Sequence, residues 1–166
     1  MKKLLLLGAF LIVSTSSLFA QEFNLGASAA LPLGDAGDLT TFGLNIEANY
    51  LTDVSEQFDV GATVGYHHYF GDSMDIPGFG SIDIDDFSFI PVAASARFNA
   101  SEAFTIGADL GYGIGISPDG NDGGFYYAPK VQYGISETID IVLAYKGVSL
   151  DGGSFDSITL GVEFGL

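Results

Sequence analysis

Eight charged side chains carry most of the chemistry this chain could do: Glu47, Asp59, Arg97, Asp109, Lys130, Asp140, Lys146 and Glu163. Each sits in an alternating segment and out of phase with its apolar neighbours, so each points to the side the apolar residues avoid. Charges gathered on an enclosed side persist only when paired and hydrogen-bonded. A network of salt bridges is therefore expected. Three cations against five acids leave a surplus that implies water or a proton on a carboxylate. Such a network either plugs an interior or lines an ion path. The adjacent pair His67 and His68 cannot chelate one ion, because neighbours on a strand face opposite sides. Ser73 lies beyond that strand and at no spacing from either histidine that would make a nucleophile. No catalytic residue and no cofactor is expected. Asp72, Asp75, Asp83, Asp85 and Asp86 form an acidic loop with some capacity for Ca²⁺ or another divalent cation. The run from Asp119 to Gly123 imitates a calcium loop but puts Gly123 where the third ligand should be. Solvated loops account for both stretches, so no metal site is assigned.

What positions these residues is a set of eight alternating segments, about 22–33, 40–51, 57–70, 86–98, 103–116, 124–134, 138–149 and 157–166. No helical period appears. In the last segment Ile158, Leu160, Val162, Phe164 and Leu166 share one face, while Thr159, Gly161, Glu163 and Gly165 share the other. A strand this apolar needs a neighbour on both edges. Closing it against the first strand satisfies both. Each segment is close to the ~9–11 residues that a tilted strand needs to cross a bilayer. The connectors alternate between long loops rich in Gly and Asp and short turns that repeat Ser-Glu, at Ser55-Glu56, Ser101-Glu102 and Ser136-Glu137. An internal repeat at every second connector gives the barrel one end of tight turns and one of longer loops.

Lys2 and Lys3 followed by an apolar stretch from Leu4 to Val13, then small residues up to Ala20, read as a secretory signal peptide cleaved after Ala20. The expected organisation is thus 1–20 signal peptide and 21–166 one barrel domain. Beyond residue 20 only Arg97, Lys130 and Lys146 remain against 21 acids, a balance that excludes nucleic acid as a partner. The absence of cysteine rules out a disulfide framework.

Charge also sets the sidedness. With the phase reversed, Lys130 and Lys146 would face hydrocarbon at roughly 2–4 kcal/mol each near the midplane. With the apolar face outward, the charges line the lumen. Phe and Tyr near the strand ends then form two girdles: Phe23, Tyr50, Phe58, Phe98, Phe104, Tyr133 and Phe164 at the turn end, and Phe42, Phe70, Phe87, Phe89, Phe125, Tyr127 and Phe155 at the loop end. Pro91 and Pro129 lie inside spanning strands, and a bulge is expected at Pro91, freeing Phe87 or Phe89 to swing toward lipid. A soluble barrel, apolar inside, would need an outer wall dense in Lys and Glu; these strands alternate with Gly, Ser, Thr and Asn instead.

On its leader, strand count, loop asymmetry and last strand, the chain resembles small outer-membrane β-barrel proteins of the porin family, the OmpA/OmpX-type eight-stranded barrels. Leu166 stands where that family usually ends on an aromatic, with Phe164 two residues earlier. The resemblance implies an all-β, eight-stranded antiparallel up-and-down transmembrane barrel in the cell outer membrane. It implies a monomer in contact with outer-membrane lipids, lipopolysaccharide and the assembly machinery. The expected role is structural or in surface interaction, with acidic extracellular loops; the alternative is a narrow passive channel for small solutes, and a lipid-modifying enzyme stands behind both. No wall-binding domain is expected after the barrel.

Overall fold

The computed structural model describes residues 21–76 and 80–166; the expected signal peptide, 1–20, lies outside them. Ten strands and one short helix follow in order: β1 (Gln21–Leu33), α1 (Asp35–Leu39), β2 (Thr40–Ser55), β3 (Phe58–Gly71), β4 (Ser73–Ile76), β5 (Gly80–Asp83), β6 (Phe87–Asn99), β7 (Phe104–Ser117), β8 (Gly124–Gly134), β9 (Ile139–Leu150) and β10 (Gly153–Gly165). Eight of them close into an antiparallel barrel in the order β1-β10-β9-β8-β7-β6-β3-β2, the all-β up-and-down architecture read from the alternation. The last strand pairs with the first from Asn24–Gly165 to Leu33–Asp156, so no long edge is left open.

Two small elements were not legible in the sequence. The loop after β1 contains the single turn α1, too short to impose a 3.6-residue period; Thr40 Oγ1 ends it by donating to the Ala36 carbonyl at 2.7 Å. The loop after β3 carries its own hairpin, β4–β5, paired from Ser73–Asp83 to Ile76–Gly80.

The phase of the barrel strands is uniform. Leu44, Ile46, Val64, Val92, Leu110, Leu143 and Leu160 are all 47–61 % exposed on the outer wall, while Asn49, Thr63, Asp109, Tyr126 and Thr159 are 0–1 % exposed inside. Contiguous apolar surface of this extent is not stable against water and calls for a non-aqueous neighbour. The turn end is held by the repeated serine. Ser55 Oγ accepts from the N–H of Gln57 (3.3 Å) and Phe58 (3.1 Å); Ser101 Oγ accepts from Ala103 (3.4 Å) and Phe104 (3.1 Å); Ser136 Oγ accepts from Thr138 (3.3 Å). A short polar side chain thus satisfies the backbone donors that a tight turn leaves over.

Proline acts differently from the expectation. Pro91 pairs with Gly113 in an unshifted β6–β7 register, and no bulge forms at it. Instead the β3–β6 ladder skips from Val64–Val92 to His67–Phe89, keeping register across the gap. Proline lacks the one N–H that would have bonded there, and the intact ladders on either side hold the strand in line. The irregularity falls at Ser88/Phe89. Phe87 and Phe89 therefore do not turn to lipid: they share the inward parity of Ala93 and Arg97, and Phe89 is fully buried. Phe155 is likewise inside, so the loop-end girdle lacks three of its expected members.

Candidate functional site: the barrel lumen

The lumen is built in three levels, each supplied by inward positions of several strands. At the turn end, Glu22, Asp53, Glu56, Asp59, Glu102, Glu137 and Asp140 line an open cavity of about 590 Å³, and among the described residues no Lys or Arg lines it. Three of these acids belong to the repeated Ser-Glu turns. Asp59 accepts from Asn99 Nδ2 at 2.8 Å, and Asn99 Oδ1 in turn accepts from Thr105 Oγ1 at 2.8 Å. Asp140 makes no ion pair among the described residues. The expected eight-member network is thus split, and Asp59 and Asp140 stand apart from it in the wet mouth.

Above the mouth lies an ion layer. Arg97 Nη1 meets Asp109 Oδ1 at 3.1 Å, Lys130 Nζ meets Asp109 Oδ2, and Arg97 Nη2 lies 3.9 Å from Glu163 Oε2. Glu163 also accepts from Asn49 Nδ2 at 2.6 Å and from Gln132 Nε2 at 3.0 Å. On the other side, Glu47 Oε1 takes Lys146 Nζ at 2.6 Å, His67 Nε2 at 2.8 Å and the Tyr126 hydroxyl at 3.4 Å. Three cations face three carboxylates here. The acid surplus expected from the sequence belongs to the mouth, where water can solvate it. A cavity of about 20 Å³ remains between Glu47, Lys130, Lys146 and Glu163, room for about one water molecule.

At the loop end the lumen is closed by aromatic rings. Phe155 packs against Tyr69 (centroids 4.6 Å apart), Phe87 (5.2 Å) and Phe89 (5.3 Å), and the Tyr69 hydroxyl is 3.0 Å from Ser157 Oγ. Three inward glycines lie beneath long side chains. The Tyr69 ring lies over Gly43, Glu47 over Gly65 and the Arg97 stem over Gly107; a Cβ at any of these would fall within 3.0 Å of the covering side chain. Small residue and long neighbour fill one space between them.

The two histidines part as strand geometry requires. His67 is buried in the lumen on Glu47. His68 looks outward at the rim, where Nδ1 lies 2.9 Å from Ser88 Oγ and Nε2 lies 3.3 Å from Asp86 Oδ2. Serine, histidine and aspartate in sequence-distant reach of one another have the outline of a nucleophilic relay. Its geometry does not offer a nucleophile: Ser88 is 2 % exposed, and the Tyr66 hydroxyl donates to the same oxygen at 3.2 Å. The group ties the foot of the long loop to the wall, helped by Gly71 N–H donating to Asp86 Oδ1 at 2.9 Å and Ser117 Oγ donating to the Asp86 carbonyl at 2.8 Å. Ser88 was the serine the sequence hid, since its reach to His68 depends on strand pairing.

In the loops, Asp72 Oδ1 accepts from Ser73 N–H at 2.7 Å, and the Asp75 side chain lies outside the described part. Among the described residues no three His, Asp or Glu side chains converge on one point. On the outer wall, Ile158, Leu160, Val162, Phe164 and Leu166 keep the outward phase of the closing strand.

The barrel is similar to solved structures of known outer-membrane proteins. Ail of Yersinia pestis in a phospholipid bilayer nanodisc aligns with a TM-score of 0.61 at 19 % identity, covering 89 % of this chain and 100 % of that one. Neisserial surface protein A aligns at 0.53 and 15 % identity, over 87 % and 96 %. A de novo designed transmembrane β-barrel aligns at 0.53 and 10 % identity, over 87 % and 95 %. At these identities the likeness is one of fold. No curated relative matches the chain. The family described as outer membrane protein beta-barrel domain matches residues 4–165, nearly the full length. Closed barrel, apolar outer wall and ionic interior agree with that match, and the chain belongs to the outer membrane protein beta-barrel domain family.

Proposed function

We propose that this protein resides in the cell outer membrane as a monomeric barrel with a structural and surface-interaction role, its lumen a plug and not a conduit. The observation that carries the reading is the double seal: a charge-matched ion layer beneath an aromatic cap of Tyr69, Phe87, Phe89 and Phe155. An ion crossing it would have to displace paired charges and then pass a dry ring of aromatic side chains. Against the competing reading, a narrow passive channel for small solutes, stand the side chains that lie over the inward-facing Gly43, Gly65 and Gly107. A lipid-modifying activity lacks an accessible nucleophile at Ser88.

The part offered to partners is the loop end. Its three long loops, the two-residue turn Asp151–Gly152 and the adjoining end of β10 carry eleven aspartates and no Lys or Arg. Such a rim fits divalent cations bridging to lipopolysaccharide phosphates. It would repel a polyanion of the kind represented by the heparin analogue bound to Ail in one crystal structure. Export through the leader and insertion by the assembly machinery complete the reading. Folding is tested by heat-modifiable gel migration in detergent. Function is tested in planar bilayers, where the folded protein is expected to show no stable unit conductance steps at neutral pH; regular steps would replace the plug by the channel. Retention of purified lipopolysaccharide that survives EDTA unchanged would remove the divalent bridge.

A further inference from the structure

The Ser-Glu repeat leaves one residue of each pair without a task. The serine holds its turn, while the side chains of Glu56, Glu102 and Glu137 make no hydrogen bond or ion pair among the described residues. All three instead line the open mouth of about 590 Å³. With the acids from β1, β2, β3 and β9 they ring the cup, and do not gather on one side of it. Two groups deeper in are not surface groups at all. Asp59 and Asn24 are each only 8 % exposed, yet both line the cup. Asp59 has Asn99 as its donor. The Asn24 amide lies with its nitrogen toward Glu22 and its Oδ1 toward Gly165, and neither atom completes a hydrogen bond among the described residues. A buried amide is ordinarily partnered, so this one calls for a partner from the cup. Its carbonyl-type oxygen, standing among carboxylates, can be satisfied only by a donor.

We propose that the mouth binds a linear oligoamine, a flexible chain with several separated ammonium groups, one of them seated on Asn24 and Asp59 and the others on the turn glutamates. A cleft lined by one sign of charge concentrates ions of the other. A bare metal ion does not fit, because among the described residues no three of these acids converge as its ligands would. Carboxylates spread round a cup are met one at a time by a chain whose charges are also spread, each contact a charge-assisted hydrogen bond. The volume is that of a small-molecule pocket. Arg97, paired across the ladder with Asp59, puts a positive charge beneath the floor and keeps the ligand from going deeper. In an outer-membrane barrel the tight turns face the periplasm, so the oligoamine is a periplasmic one; that placement alone rests on the outer-membrane reading.

Binding is measured away from any membrane, which keeps the two questions apart. Barrel folded in detergent, checked by heat-modifiable migration, is titrated calorimetrically with spermidine and with hexaamminecobalt(III), a compact trivalent ion, at an ionic strength of about 0.15 M. The expected result is one tight spermidine per barrel, bound about fivefold more strongly than the compact ion of equal charge. Glu56→Gln, Glu102→Gln and Glu137→Gln together alter only exposed turn positions and should weaken spermidine about tenfold. Asn24→Leu, which removes the unpartnered amide, should weaken it about threefold. Asp119→Asn, Asp122→Asn and Asp151→Asn together neutralise as many acids at the loop end and should change nothing. Equal affinity for the two trivalent ions would reduce the binding to a diffuse ion atmosphere and overturn the site. So would loss of binding in the loop-end triple variant, or full affinity in Asn24→Leu.

Discussion

Glu47 carries the most consequential single set of contacts, because one oxygen collects an ammonium, an imidazole and a phenol. Replacing Lys146 by Met leaves that carboxylate buried without its cation. The expected cost is about 3–5 kcal/mol, read as a lower urea midpoint for the barrel in detergent. Lys146→Met with Glu47→Leu removes both charges and should recover most of the loss; a double variant as weak as the single one would show that the pair is not coupled. Asp140 is the contrast. It faces other acids in the mouth, so Asp140→Asn should shift stability by no more than about 0.5 kcal/mol, in the same assay. At this scale the sequence showed which side each charge lies on, because strand parity is local. It did not show that Asp59 and Asp140 would part from the others, since that depends on how far each inward position lies along the lumen. Phe87, Phe89 and Phe155 were misplaced for another reason. Their parity points inward, while an aromatic near a strand end suggests a girdle; the sealed cap shows that parity outranks residue type.

Among the elements, the turns were the most legible and the loops the least. The repeated Ser-Glu motif marks the tight end because the serine hydroxyl is needed within three residues of itself, a strictly local demand. Ser101→Ala removes an acceptor from two backbone N–H groups, one of them at 3.1 Å, and is expected to cost about 1 kcal/mol in the urea assay. Ser55→Ala should add independently, because the turns are separate; a strongly non-additive pair would mean that they share structure. Gly43 tests close approach on the wall. An added Cβ would lie 2.5 Å from Tyr69 Cδ1, so Gly43→Ala must displace the ring and is expected to cost about 1–3 kcal/mol. Hairpin β4–β5 and helix α1 left no period in the sequence because each is too short to repeat one.

For the molecule as a whole, sidedness is the property everything else depends on. Leu110→Arg puts a cation on the outer wall and should cost roughly 2–4 kcal/mol in lipid bilayers near the midplane. Spin labels at Leu110 and at Asp140 in the open mouth should respond to lipid-soluble and water-soluble quenchers respectively; the reverse order would invert the barrel. The plug makes a global demand too. Phe89→Ala with Phe155→Ala removes most of the cap, and together with Lys146→Ala it opens both seals. That triple variant is the one expected to show conductance steps in planar bilayers. Steps in the unaltered protein would instead mean that neither seal closes.

By itself the sequence determined the number of barrel strands, the phase of each of them, the tight end and the closure of last strand on first. Those follow from period-2 alternation and turn chemistry, which act over a few residues. Only the tertiary structure decided which charges pair, that four aromatic rings cap the lumen, and that Ser88 meets His68. Each of these brings together residues on different strands, and contact between strands depends on register and curvature, which no single segment encodes.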